Sequence, residues 1–165
     1  MDMTISDYFL QLPEKMHFAE IQELSASGTK YYRMLSDHGS GSFQLTCLND
    51  DMLFILIADF TPKETFEKVA SISEEYIEIS QFETDSSAFK IGRRKMQPVG
   101  KGIFCYVNTQ KTTYVYCEKG KPVRFTKVIL TRKYFDSFFR ELYGKDYEQT
   151  KSAQEIYCAT PICRN

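Results

Sequence analysis

The chain has 165 residues, 42% of them hydrophobic and 26% charged, with a formal net charge of -1. That is long enough for one domain with a real core, and it lacks the basic excess that marks a nucleic-acid-binding domain. The 13 Phe and 11 Tyr, with no Trp, point to an aromatic interior, because rings favour strands and tyrosine also offers a ligand its hydroxyl.

No basic n-region precedes an apolar run at the start, and the best apolar run, Met52–Ala58, has the length of a strand rather than of a membrane span. Five cysteines are present, Cys47, Cys105, Cys117, Cys158 and Cys163. The number is odd and no pair has C-x-x-C spacing, so a reduced cytoplasmic protein with thiols packed as small hydrophobes is expected.

Residues 1–35 read as an N-terminal arm and first elements, an arm or a partial strand lying against the main body. Ser6 is placed to cap a short helix with Tyr8, Phe9 and Leu12 inward and Pro13 at its end, and Phe18–Leu24 fits either helix or strand. Ser36–Ser42 has loop composition. Phe43–Leu48 and Met52–Phe60 then read as strands around an Asn49-Asp50-Asp51 turn, and the nearly continuous apolar run of the second implies that both its faces are covered. Thr61-Pro62-Lys63-Glu64 ends it. Tyr76–Thr84 is the next strand, with Ile77 and Ile79 on one side and Tyr76, Glu78, Ser80 and Phe82 on the other. Phe89–Ile91 offers a fourth, and Gly92–Gly102 reads as a basic loop.

Ile103–Val107 and Tyr114–Cys117 read as paired strands around Asn108–Thr112. After the Gly120-Lys121-Pro122 turn comes Val123–Leu130, β-branched and aromatic. Thr131 is placed to N-cap a helix whose Phe135, Phe138, Phe139, Leu142 and Tyr143 share one face. Gly144–Gln154 is polar and fits an exposed helix or a linker. Many short strands at near-regular spacing imply a barrel or sandwich, residues 36–131, followed by a helical segment, residues 132–165.

Gly39-Ser40-Gly41 leading into Phe43–Asp59, then Glu75-Tyr76-Ile77-Glu78-Ile79, then Val128-Ile129-Leu130-Thr131 running into Tyr134-Phe135-Asp136-Ser137-Phe138-Phe139, together resemble the N-terminal effector-binding domain of AraC-type transcriptional regulators. The resemblance covers most of residues 36–143 and is one of hydrophobic spacing and turns. It implies a mainly β fold with C-terminal helices, a cupin-like jelly-roll β-barrel followed by an amphipathic helix. It further implies a small-molecule effector in the barrel, a homodimer formed through the helical segment, and DNA reached only through a C-terminal domain for which no residues remain here.

Candidate ligand-binding residues are Tyr76, Glu78, Ser80 and Phe82 on one strand face, with Tyr106, Tyr114 and Tyr116. Glu78 needs a partner or a polar ligand if it faces inward; facing outward, it is the polar side of an edge strand. Phe135, Phe138, Phe139 and Leu142 form a dimer patch wherever the barrel leaves them uncovered. The two histidines, His17 and His38, have no H-x-H partner, which argues against a cupin metal site, and no cofactor is expected. A Cys47–His38 nucleophile pair, an anion-cradling loop at Asp37–Ser42 and a phosphate contact at Arg93-Arg94-Lys95 each compete with plainer structural readings. A sensor module without catalysis is the leading expectation. A small metal-free cupin enzyme acting on a sugar-like metabolite, with Glu78, His38 or a tyrosine as acid/base, and a filled structural barrel are the alternatives.

Overall fold

The computed structural model describes residues 3–108 and 111–144. In chain order these form α1 (Ile5–Lys15), β1 (Phe18–Leu24), β2 (Thr29–Met34), β3 (Gly39–Leu48), β4 (Leu53–Pro62), β5 (Phe66–Ala70) and β6 (Tyr76–Phe82). There follow β7 (Ser87–Ile91), β8 (Gln97–Val99), β9 (Gly102–Asn108), β10 (Thr113–Cys117), β11 (Val123–Thr131) and α2 (Arg132–Tyr143).

The strands make two sheets, in the orders β1-β2-β3-β4-β11-β6-β9 and β5-β10-β7-β8. All ladders within them are antiparallel. From β4 onward the chain crosses from sheet to sheet at each step except β7 to β8, which pair within one sheet, so that β4-β11-β6-β9 faces β5-β10-β7-β8. Two four-stranded sheets linked in this order are a jelly roll, and the fold is a cupin-like jelly-roll barrel with β1, β2 and β3 extending one sheet. The core lies between the layers, where Phe43, Phe54, Leu56, Phe60, Val123 and Ile129 are buried.

Several local expectations change. Thr4, not Ser6, caps α1: its hydroxyl accepts from the Asp7 N–H at 3.1 Å, and the Asp7 carboxylate accepts from the Thr4 N–H at 3.4 Å, a capping box. Pro13 lies inside the last turn of α1 rather than ending it. Phe18–Leu24, open between helix and strand, is strand β1 and pairs with β2.

Of the expected loop Ser36–Ser42, residues 36–38 form a turn and the glycine-containing part is strand. Gly39–Ser42 opens β3 and pairs with Asp59–Pro62. Gly41 has φ 120°, and a Cβ there would collide with the backbone of Asp59 and Phe60. Its glycine lets two strands approach closely, so it forms no anion cradle. The turn that follows is made by Asn49, Asp50 and Asp51, all at positive φ, where short polar side chains are best tolerated among non-glycine residues.

β9 and β10 do not form the expected hairpin. β9 pairs with β6 in one sheet, and β10 lies between β5 and β7 in the other. Two strands, β5 and β8, fall where none was expected. Thr131 stands at the N-cap position of α2, but its hydroxyl donates to the Met52 carbonyl at 2.9 Å and makes no cap bond. α2 lies on the outer face of the longer sheet, with Phe135 buried against Ile77 and flanked by Cys105, Val107, Leu130, Tyr134 and Phe139. Residues 145–165, including Cys158 and Cys163, lie outside the described residues. No helix among the described residues is long and apolar enough to cross a membrane.

Candidate ligand-binding cavity in the barrel

Strand alternation decides which side chains enter the barrel. On the longer sheet the inward registers run Phe54–Ile129–Glu78–Tyr106 and Leu56–Lys127–Ser80–Phe104. Lys127 therefore stands directly across from Ser80 and diagonal to Glu78, within reach of a long side chain. From the facing sheet, Phe66, Lys68 and Ala70 of β5 and Thr113, Val115 and Cys117 of β10 point into the same space. Helix α1 lays Tyr8, Phe9, Leu12 and Met16 along it. These groups line a cavity of about 120 Å3.

Of the expected ligand-binding residues, Tyr76, Glu78, Ser80, Phe82 and Tyr106 all line this cavity. Tyr114 and Tyr116 do not. They alternate with the inward Thr113, Val115 and Cys117, and the Tyr114 ring instead carries the Lys90 ammonium at 3.8 Å. The cause is the misread hairpin: placing β10 in the second sheet fixes its inward face on the odd residues.

Glu78 resolves inward and is paired. Its Oε1 accepts from Lys127 Nζ at 2.6 Å and from the Ser80 hydroxyl at 2.6 Å. Burial alone would raise the Glu78 carboxyl, but Lys127, Ser80 and the nearby Lys68 more than offset it, so the carboxyl sits below its ordinary value. The Lys127 ammonium also lies 5.0 Å from the Phe125 ring centre and 5.4 Å from that of Phe82, a favourable cation–π placement. Around the pair, burial and then the Glu78 charge raise the hydroxyls of Tyr8, Tyr76 and Tyr106, the last to about 12. These three hydroxyls stay protonated at neutral pH.

Lys68 is the residue sequence reasoning missed. Burial first, and then the Lys127 charge, lower its ammonium to about 7. Its Nζ lies 4.6 Å from the centre of the Tyr8 ring. Tyr8 and Lys127 were likewise not singled out as site residues. The signal for Lys127 was present: Val123, Phe125 and Ile129 put it on the inward side of an alternating strand. For Lys68 the only signal was the period-2 run Phe66-x-Lys68-x-Ala70, obscured by charged neighbours.

The polar lining continues out of the cavity. Tyr106 donates its hydroxyl to Asn108 Oδ1 at 3.1 Å, and Asn108 Nδ2 donates to the carbonyls of Ile72 at 3.1 Å and Glu74 at 2.7 Å. The Glu74 carboxylate accepts from the Ile5 N–H at the start of α1 at 2.8 Å. Glu75, next in sequence, pairs with Arg132 in the first turn of α2 at 3.4 Å. A path of direct contacts therefore joins the cavity wall to the start of both helices.

Other candidate chemistry does not assemble. No group of three or more His, Cys, Asp or Glu suited to a metal occurs among the described residues. His17 and His38 stack on each other at 3.7 Å. Cys47 donates its thiol to Asp51 at 2.8 Å, and burial with that carboxylate pushes it up to about 11, opposite to an activated nucleophile.

No family model matches the chain, and no curated protein does. Solved structures similar to it include the plu4264 protein of Photorhabdus luminescens, at 12% identity over 75% of this chain and 90% of that one, with a TM-score of 0.43. The cupin domain of Schizosaccharomyces pombe Cnp3 is similar at 8% identity over 76% and 74%, with a TM-score of 0.43. Ectoine synthase from P. lautus is similar at 12% identity over 67% of each chain, with a TM-score of 0.40. Strand order, rather than these distant likenesses, carries the fold.

Proposed function

We propose that this chain is a ligand-sensing and dimerising module, of the kind found in AraC-type transcriptional regulators, that binds a small effector inside the barrel. The observation that carries the reading is the cavity itself. It is lined by aromatic rings yet holds a carboxylate, two lysines and three tyrosine hydroxyls. A core built only for stability has no use for that many polar groups.

The relay runs by population shift. An effector touching Tyr8 or Tyr106 changes the balance of packing at α1 and, through Asn108, Glu74 and Glu75, at α2. The outer surface supports a second copy as partner. Ile57, Ile79 and Ile103 of the longer sheet are 43%, 41% and 76% exposed, and Phe138 and Leu142 of α2 are 44% and 58% exposed. These residues are the face on which a second copy would dock. The AraC-type role also rests on the sequence resemblance, with DNA contacted by a separate domain.

The test is to fuse the chain to a DNA-binding domain that needs dimerisation to hold its operator. Operator occupancy that follows a barrel ligand supports the sensor. Occupancy indifferent to every ligand that stabilises the barrel refutes the relay.

Lys68 favours one competing reading. A lysine lowered towards neutrality by burial and a second cation resembles the amines that catalysts use, so the cavity also suits a small metal-free enzyme. Chemical analysis of any stabilising ligand after incubation separates the two, since a sensor returns it unchanged.

A further inference from the structure

Inside the barrel the charges do not balance. The lining residues carry one carboxylate, Glu78, and two ammonium groups, Lys68 and Lys127. Lys127 and the Ser80 hydroxyl already occupy Glu78 Oε1, both at 2.6 Å. Lys68 approaches from the facing sheet, and among the described residues no ion pair or hydrogen bond holds it. Its exposed surface borders the cavity, and the Tyr8 ring lies against its ammonium at 4.6 Å.

The groups facing Lys68 are Tyr8 and Lys15 from α1, Glu78 from β6, Cys117 from β10 and Lys127 from β11. The Tyr8 hydroxyl and the Cys117 thiol are both raised by burial and are neutral. Lys15 is exposed to solvent and does not line the cavity, so inside the enclosure one positive charge is left over. Such a charge is costly unless it is paired. The site can shed a proton, or it can take an anion.

We infer that the barrel takes a small apolar monoanion, its carboxylate held by Lys68 with Lys127 alongside and its hydrocarbon body against the aromatic rings. The inference rests on the sensing reading and specifies its ligand. A singly charged group matches the one uncompensated ammonium, whereas a dianion would overshoot it. Size narrows the class further. The cavity is about 120 Å3, and an apolar cavity of about 150 Å3 accepts benzene. The whole ligand is therefore no larger than about benzene, which limits the body to a short branched chain. Phe82, Phe104 and Phe125 supply the wall against which it packs.

The charge state makes the binding pH-dependent. In the empty barrel the Lys68 ammonium is lowered to about 7. A bound carboxylate restores its counter-charge and raises it again. Above neutrality binding must therefore take up a proton, and affinity falls as pH rises.

The experiment is a calorimetric titration of the full chain with 3-methylbutanoate, 3-methylbutanamide and 3-methylbutylamine. It is run between pH 6 and pH 9 in buffers of different ionisation enthalpy. The expected result is that the carboxylate binds at least about tenfold more tightly than the amide at pH 6, and that the amine binds weakest. Proton uptake should accompany carboxylate binding at pH 8. Lys68→Met should lose the preference for carboxylate while still binding the amide, and Lys68→Arg should keep it. Amide binding equal to or tighter than carboxylate overturns the monoanion and leaves the sensor standing. Failure of all three probes also overturns it; the sensing reading falls with it only if a broad metabolite panel fails to stabilise the fold too.

Discussion

Lys127 Nζ and Glu78 Oε1 meet at 2.6 Å across neighbouring strands, with both side chains largely shielded from water. Breaking such a pair strands a charge in the interior, at a cost of about 3–5 kcal/mol. Here the two halves of the pair are not equivalent. Removing Lys127 leaves Glu78 with Lys68 nearby, whereas removing Glu78 leaves two ammonium groups facing each other. Chemical denaturation should show Glu78→Gln destabilising the chain more than Lys127→Met. The reverse order would mean that Lys68 does not share the field of Glu78.

The pH dependence of stability follows from Lys68. Its folded value, about 7, lies below its ordinary 10.5. Between those values the unfolded chain holds a proton that the folded chain has released, so stability rises with pH across that window. It is lost again as pH falls through about 7. At full slope the gain is about 1.4 kcal/mol per pH unit. The difference in unfolding free energy between wild type and Lys68→Met should therefore change in favour of wild type from pH 7 to pH 9. A flat difference would show that Lys68 keeps its proton inside the barrel.

Asn108 is 1% exposed and serves two backbone carbonyls with one amide. Replacing it with alanine leaves those acceptors unpaired and should cost about 1–3 kcal/mol. It should also weaken the link between the cavity and the helices. Hydrogen exchange of the first-turn amides of α1 is the readout, and Ile5, held by the Glu74 carboxylate, is the amide to follow. Faster exchange there in Asn108→Ala is expected. Unchanged exchange at that amide would break the relay at its first joint.

On α2, Phe135 is buried while Phe138 and Leu142 are more than 40% exposed. The double substitution Phe138→Glu with Leu142→Lys should leave the barrel fold intact. Equilibrium sedimentation should show wild-type dimers and variant monomers. A monomeric wild type would remove dimerisation from the proposal.

How legible this was in the sequence varied from strand to strand. The alternation of β6 groups Tyr76, Glu78, Ser80 and Phe82 on one face without a structure, but not which face turns inward, because the more apolar side, Ile77 and Ile79, is the outward one. The jelly-roll expectation came from strand spacing and resemblance, and strand order supports it. β5 was illegible because Glu67 and Lys68 break its apolar pattern, and its partners are distant in sequence. That one omission hid Lys68, the charge that distinguishes the cavity. The β9–β10 error has a different cause. A short connection between two strands suggests a hairpin, but in a jelly roll it can also cross between sheets, and local sequence does not encode the difference. Tyr114 and Tyr116 were misplaced as a direct result. The glycines at 39 and 41 looked like a loop because composition cannot separate flexibility from close strand approach.

The central claim is that the barrel interior is a binding site rather than a packing void, and Val115 offers the most direct test. It lines the cavity beside Lys68, its cross-strand neighbour, so Val115→Phe fills the space. Thermal unfolding of wild type and this variant should be compared across a panel of small metabolites that includes carboxylates. A ligand present at about a hundred times its dissociation constant stabilises its target by about 2.7 kcal/mol. The account predicts at least one compound that raises the wild-type melting temperature and leaves Val115→Phe unmoved. A panel without hits, together with a Val115→Phe protein more stable than wild type, would contradict it and make the cavity a packing defect.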